Sequence, residues 1–480
     1  MADAVCSMGM GALAGGPFLV GFALAIGASN YEVGMLATIA LLSQLMQLPG
    51  LFLANMIRKR RAITAILTGV SRLLWIFIIL IPLLFVNRGI TFLLQWILIA
   101  SLVGALVGPS WNSLLRDIIP KENMGRLFAR RLGFGTVIAL TLTLVGGMFV
   151  DWWKARSPDT ALYAYSLLFS VGVTLGVLGS IVVSRLPEPT MKATKKTSMF
   201  NQLIGPVRDA NFKRLLVFIG LWSFAVNMAG PFFIIYMLQR IKVPFATVTM
   251  LTVTSQVANL AFLKIWGRMA DRFSSKSVFA VAGPMFLISV LAWSFTTMPE
   301  RYFLTIPLLF GIHIFSGVAL SGVNISSASM ALKLSPSDKT HSYMTVFALV
   351  AAVCGACGPF AGGILADFFA NRELALSLNW SDPARQLSVY AINFKALDFV
   401  FLVAFFAGLM AVHKLALVKE EGEVPENKVV ADLVDQVVLP FKMVSSVDGL
   451  LNLVSRPVSS IVNAKRRARK RTKPTTTAES

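Results

Sequence analysis

The stretch Gly146-Gly147-Met148-Phe149-Val150-Asp151-Trp152-Trp153 returns later in the chain as Gly362-Gly363-Ile364-Leu365-Ala366-Asp367-Phe368-Phe369. In both copies a glycine pair is followed by apolar residues, an aspartate and two aromatic rings. Three further matches keep nearly the same spacing. Gly16-Pro17-Phe18 returns as Gly230-Pro231-Phe232, Ser43-Gln44 as Ser255-Gln256, and Pro120 as Pro336. The offsets lie between 212 and 216 residues and the order is kept. Matches in order at one offset argue for an internal duplication. Two parallel halves related across the membrane normal are one way to build a membrane protein from such a repeat.

Composition places the repeat in a bilayer. The 480-residue chain is 56% hydrophobic and 14% charged, with a mean hydropathy of +0.72. Soluble chains carry roughly a quarter charged residues, so much of this surface faces lipid. Many apolar segments reach the ~20 residues that cross ~30 Å of hydrocarbon as a helix. Helix is the form to expect for segments of this length, because backbone polar groups in lipid must be satisfied within the segment. Helices are expected at 8–28, 33–56, 63–86, 90–116, 132–153, 161–184, 214–239, 245–270, 277–297, 302–332, 341–369 and 391–416. The fold class is therefore all-α integral membrane, with twelve transmembrane helices in two pseudo-symmetric six-helix bundles. The bundles are 1–184 and 214–416, joined by a linker, 185–213, and followed by a tail, 417–480. In the linker, Met199 to Gly205 suits a short amphipathic surface segment that Pro206 interrupts.

The net charge of +21 follows topology rather than nucleic acid. Arg58, Lys59, Arg60 and Arg61 follow helix 2, Lys121, Arg126, Arg130 and Arg131 follow helix 4, and Arg268, Arg272 and Lys276 follow helix 8. Loops of the opposite side carry fewer. The positive-inside rule then puts both termini and the linker in the cytoplasm, with a bacterial inner membrane the expected location. The tail begins with Glu420, Glu421, Glu423 and Glu426. Its apolar part, Val429 to Val462, is broken by polar residues and prolines and reads as interfacial. The run Lys465-Arg466-Arg467-Ala468-Arg469-Lys470-Arg471 suits anionic lipid at ~1 kcal/mol per basic residue. No nucleic-acid-binding fold accompanies it.

No GxxxxGK[ST] phosphate loop occurs, so ATP hydrolysis is not expected. Cys6, Cys354 and Cys357 form no disulfide framework, and Cys354-Gly355-Ala356-Cys357 sits among small residues that suit helix packing better than redox work. There is no metal-ligand cluster or nucleophile arrangement. Neither a cofactor, a metal nor an enzymatic reaction is expected, and no cleavable signal peptide is read at the N-terminus.

Trp266-Gly267-Arg268-Met269-Ala270-Asp271-Arg272-Phe273-Ser274-Ser275-Lys276 resembles the loop signature of the major facilitator superfamily, Gly-x-Leu-Ala-Asp-Arg-x-Gly-Arg-Lys, with Ser274 in place of the usual glycine. The first half carries a worn copy, Ala54 to Arg61, with Asn55 where the acid stands. Gly108-Pro109-Ser110-Trp111-Asn112, with Pro120, Gly125 and Arg126, resembles a corner of prokaryotic members. The resemblance covers about 5–416. It implies transport of a small organic solute by alternating access, by a protein expected to be a monomer. A coupling ion, proton or sodium, stays open. It also implies a gating loop of Gly267, Arg268, Asp271, Arg272 and Lys276, with Asp271 meeting Arg130 and Arg131 when the cytoplasmic ends close.

The resemblance further places helices 1, 4, 7 and 10 along the solute path and helices 2, 5, 8 and 11 at its sides. Polar residues there are the substrate candidates, because a polar group facing lipid is costly. They are Gln44 and Gln47 on helix 2, Asn112 on helix 4, Asn227 on helix 7, Gln256 and Asn259 on helix 8, and His313 and Asn324 on helix 10. For any one amide, hydrogen bonding between helices is the competing explanation. Gln44 with Gln47, and Gln256 with Asn259, each share a helix face and occupy corresponding stretches of the repeat. Arg72 lies in the middle of helix 3 and needs a polar partner. Glu32, Asp117, Asp151, Asp367 and Asp398 read as helix ends, and this scarcity of central acids favours anionic or uncharged cargo. A sensor or assembly factor on the same scaffold is the alternative, since fold does not settle function.

Overall fold

The computed structural model describes residues 1–57, 59–84, 88–119, 121–189, 199–297, 300–381 and 386–445. Among these residues, twelve helices have the length and composition to cross a membrane. Helices 1 to 6 are Ala2–Ala25, Asn30–Ile57, Arg60–Leu84, Gly89–Ile118, Leu127–Arg156 and Pro158–Ser184. Helices 7 to 12 are Ala210–Arg240, Phe245–Arg272, Ser275–Phe295, Thr305–Lys333, Thr340–Phe369 and Leu397–Leu415. The two sets pack alike. Helix 1 lies on helices 5 and 6, helix 2 on helix 4, and helix 3 on helices 4 and 6; helix 7 lies on helices 11 and 12, helix 8 on helix 10, and helix 9 on helices 10 and 12. Aromatic residues fill each bundle: Phe22 against Phe169 in the first, Phe218 and Trp222 against Phe279 in the second. Large apolar side chains such as Ile66, Phe134, Val137 and Met148 stay exposed, as a lipid-facing surface requires.

Several ends differ from the sequence reading. Helix 1 starts at Ala2 rather than at 8, and it is interrupted at Gly15–Gly16, where Gly16 has φ +50°. Only glycine takes that conformation without strain. Helix 7 starts at Ala210, inside the expected linker, because the Asp209 side chain accepts hydrogen bonds from the Asn211 and Phe212 amides. The amphipathic segment runs as a helix over Met199–Arg208, passing through Pro206. The proline stands in the last turn, where it removes a single ladder bond. The basic run Lys465 to Arg471 lies outside the described residues.

The largest correction concerns residues 391–395, expected in helix 12. They belong to an antiparallel hairpin of β1 (Glu373–Ser381) and β2 (Gln386–Lys395), with a register shift between Leu376 and Ser377. Leu387-Ser388-Val389-Tyr390-Ala391-Ile392 is rich in strand-forming residues. Helix 12 begins only at Leu397, with Asp398 accepting from the Lys395 amide at 2.9 Å. The hairpin joins helices 11 and 12 and defines one end of the bundle, the hairpin end. The start of helix 1 and the end of helix 12 lie at the other, the tail end.

Arg72 finds its partners inside the first bundle. It donates to the Gly176 carbonyl of helix 6 and to Ser7 Oγ of helix 1, the latter at 2.7 Å. One guanidinium thus ties three helices together.

At the tail end each bundle is braced by a carboxylate that follows its sixth helix. Glu188 accepts from the Arg61 amide through both oxygens at 3.1 Å, at the start of helix 3. Glu420 accepts from the Ser275 and Lys276 amides at 3.0 and 2.7 Å, at the start of helix 9. The first-turn amides of a helix have no partner within it, and the helix dipole favours an anion there. Neighbouring ion pairs add to each brace. Arg60, 1% exposed, donates to Ser113 and Asp117 at 2.7 and 2.6 Å. Lys333 pairs with Glu420 and Lys276 with Glu423, at 3.3 and 2.9 Å. A helix over Glu426–Ser445 extends this contact, with Val429 buried and Asp432 paired with Arg272. Burial pushes the Glu423 carboxyl up, but the Glu420 amide and the Lys276 ammonium outweigh it and hold it below the usual glutamate range. That contact is therefore complete above the ordinary glutamate pKa and is lost as pH falls through the lowered one.

Two outcomes test this account. Arg72→Leu removes two charge-assisted bonds, so detergent-solubilised protein loses on the order of 3–6 kcal/mol of stability, read as a lower unfolding midpoint by tryptophan fluorescence. Arg72→Lys recovers part of it. Glu420→Gln weakens a cap worth about 0.5–2 kcal/mol, so limited proteolysis cuts the chain after residue 418 faster than in the parent. Equal cutting rates would show that the tail is held by other contacts.

Candidate functional site: the interface between the bundles

The quoted repeat is the interface. Asp151, near the end of helix 5, reaches the first turn of helix 8 in the other bundle. Its two oxygens accept from the Phe245 and Ala246 amides at 2.9 and 2.7 Å. Asp367, near the end of helix 11, does the same to helix 2 and accepts from the Asn30 and Tyr31 amides at 3.1 Å each. Bonds to an ionised group contribute about 1.5–3 kcal/mol each.

The glycines let the helices come close enough. A Cβ on Gly147 would overlap Thr249 of helix 8, and one on Gly363 would overlap the Tyr31 backbone of helix 2. The preceding glycines face inward. Gly146 lies against Phe18 and Gly362 against Met228 and Phe232, which are helix 1 and helix 7 of their own bundles. Below the aspartates the contact continues. Gly34 meets the Pro359 carbonyl, Tyr31 stacks edge-on to Phe360, and Thr38 Oγ1 donates to the Ala356 carbonyl at 3.1 Å. On the other side Phe245 packs on Phe18 and Tyr165. From Asn30 to Thr38 is about 12 Å at 1.5 Å per residue.

All of these contacts lie toward the hairpin end. Among the described residues, no hydrogen bond, ion pair or ring contact joins the bundles at the tail end. Two of the gating-loop residues are engaged on their own side of the interface. Arg272 pairs with Asp432, and Lys276 donates to the Val418 carbonyl at 2.6 Å as well as to Glu423. Gly267 faces Ile325 of helix 10. Asp271 and Arg268 make no hydrogen bond or ion pair among the described residues. Arg131 binds Asp3 at 2.7 Å and lies over the Trp111 ring, while Arg130 is exposed. The expected contact of Asp271 with Arg130 and Arg131 is thus not made in this conformation.

The substrate candidates separate into groups. Gln47 donates to Gln44, and both line a cleft of about 280 Å³ with Ser43, Ser101, Gly104 and Gly108, between helices 2 and 4. Helix 2 has a 3₁₀ stretch there, Ser43–Met46, a local change of pitch that marks hinges. Gln256 extends the face of helix 8 that carries Phe245 and Thr249, so it points between the bundles; it is exposed and Asn259 is half-buried. The two aspartate contacts equate Asn30 with Phe245 and Tyr31 with Ala246. In that register Gln44 corresponds to Asn259, and the Ser-Gln match of the sequence is one turn out. Asn112 and Asn324 are exposed. Asn227 donates to the Ser223 carbonyl at 2.8 Å and lies against Gly355. His313 is buried, with its Nδ1 2.8 Å from the Leu309 carbonyl and its ring edge-on to Trp293 of helix 9. That placement is inside the second bundle, away from the interface. No group of His, Cys, Asp and Glu among the described residues is arranged to hold a metal ion.

In the sequence Asp151 and Asp367 read only as helix ends. The signal for more was their equal place in the repeat, each four residues after a glycine that meets the other bundle.

Comparison with known proteins agrees with this architecture. The nucleoside transporter NupG has a similar structure, with a TM-score of 0.65 at 13% identity, covering 87% of this chain and 98% of that one. A bacterial homologue of the human lysosomal transporter Spinster, in an inward-facing and occupied conformation, gives 0.58 at 11% identity, covering 87% and 94%. A POT family transporter in complex with 5-aminolevulinic acid gives 0.57 at 13%, covering 87% and 93%. No curated protein matches at the sequence level. The profile of the Major Facilitator Superfamily matches residues 4–359 and 215–460. With two alike bundles, an interface built from their repeat and this profile across nearly its whole length, the chain belongs to the major facilitator superfamily and is a transmembrane transporter of small solutes.

Proposed function

We propose that the protein carries an uncharged or anionic organic solute between its two bundles by alternating access, and that the described conformation opens toward the cytoplasm at its tail end. The observation that carries this reading is the one-sided interface: joined by Asp151 and Asp367 at the hairpin end, unjoined among the described residues at the tail end. The Lys/Arg asymmetry supports a cytoplasmic tail end. The candidate lining is made of amides, Gln44, Gln47, Gln256 and Asn259, which donate and accept hydrogen bonds without carrying charge. The chain is a multi-pass membrane protein, and a bacterial inner membrane is its proposed location. Nucleosides and 5-aminolevulinic acid are the first solutes to test, because one structurally similar protein is a nucleoside transporter and another is in complex with 5-aminolevulinic acid.

The test is thermal unfolding of purified protein across a solute library, since a ligand of the folded state raises apparent stability. A cargo raises the midpoint and is taken up by proteoliposomes; Gln256→Leu and Asn259→Leu each lower its affinity roughly 5–100-fold, as removing one or two hydrogen bonds does. A library that yields neither stabilisation nor flux would count against the reading. Topology is checked separately, with the native cysteines replaced. An impermeant thiol reagent applied to intact cells labels a cysteine at Ser157 and spares one at Ser337. The reverse pattern would place the tail end outside.

A further inference from the structure

We propose that Asp151 and Asp367 are the paired locks of the hairpin end, and that their release from the first turns of helices 8 and 2 is what opens that end. The proposal rests on the alternating-access reading above. Four observations lead to it. Each carboxylate engages two successive amides of the opposite bundle, with all four distances between 2.7 and 3.1 Å. These are the first-turn amides of helices 2 and 8, which no carbonyl of their own helix can satisfy. The two contacts are copies of one another within the duplicated repeat, so they flank the interface symmetrically. Between them they supply four of the five hydrogen bonds that join the bundles among the described residues, Thr38 with Ala356 being the fifth.

The local chemistry explains why an aspartate stands at each place. A carboxylate offers two acceptors and a negative charge, matching two converging N–H groups and the positive end of a helix dipole. Asparagine has the same shape, but one acceptor and one donor. Its NH₂ would face an amide N–H, so one bond is lost, the other loses its charge assistance, and the dipole loses its partner. The glycine one turn earlier sets the approach, because Gly147 and Gly363 leave no Cβ between the helices.

The carboxylate is also separable from its partner. Asn30 is the first residue of helix 2, and the preceding Ser29 is extended at φ −71°, ψ 166°. Proline fits such a first helical position, and its predecessor is already in the region proline requires. Asn30→Pro therefore deletes one amide donor to Asp367 while leaving the carboxylate and the Ser29–Glu32 capping box in place.

The experiment measures distances between spin labels at exposed hairpin-end sites of the two bundles, Ser157 and Arg301. It uses full-length protein in lipid nanodiscs with the native cysteines replaced. The parent should give one short distance. Asp151→Asn and Asp367→Asn should each raise the population of a longer distance about ten-fold, within the 5–150-fold range of coupling between conformations. The double variant should be dominated by the longer distance, Asn30→Pro should shift it in the same direction by less, and Asp367→Glu should shift it less than Asp367→Asn. Labels at Ser337 and Arg130, at the tail end, should move closer in the same variants. Unchanged hairpin-end distances in both single variants and in Asn30→Pro would overturn the proposal even if the double variant does not fold. The two readings fail separately. Longer distances without solute flux would leave the locks standing and remove transport, whereas unchanged distances with normal flux would do the reverse.

Discussion

The structure depends on one interaction, a carboxylate seated on the first turn of a helix. A helix buried among others exposes N–H groups at its start that no residue of its own can satisfy. In a membrane protein, water is not always there to substitute. Four acidic residues meet that need at helices 2, 3, 8 and 9, and their positions divide the molecule. Glu188 and Glu420 act within a bundle. Asp151 and Asp367 act between bundles. The first pair ties helices together within each half, and the second pair joins the two halves.

The tail is part of this arrangement. After helix 12 the chain turns back, and Glu420, Glu423 and Asp432 occupy Lys276, Lys333 and Arg272. Two basic residues of the family signature, Arg272 and Lys276, are therefore paired from their own side. Arg131, the partner anticipated for Asp271, is likewise held by Asp3 at the other end of its chain.

Much of this was legible in the sequence. Hydropathy gave twelve helices because lipid leaves no other way to satisfy backbone groups, and the repeat gave the two halves. What periodicity could not supply was the depth and partner of each polar side chain. His313 and Gln256 look equivalent as polar residues in apolar helices, yet one packs on Trp293 and the other points between the bundles. The Ser-Gln match misled by one turn, since a chance dipeptide and a true correspondence have the same letters. Residues 391–395 read as the start of helix 12 because the apolar content of Ala391 and Ile392 suits a buried strand and a buried helix alike. Helix 1 started earlier than expected because its first turns are rich in glycine, alanine and methionine rather than in strongly apolar residues.

The clasps at Asp151 and Asp367 recognise peptide groups, not side chains. Any residue except proline presents the same amide, so Phe245, Ala246, Asn30 and Tyr31 are free to drift as far as packing allows. All the informational burden falls on the glycine and the aspartate of the other helix. A duplicated chain can in this way keep one working joint in both copies while the surfaces that joint brings together diverge.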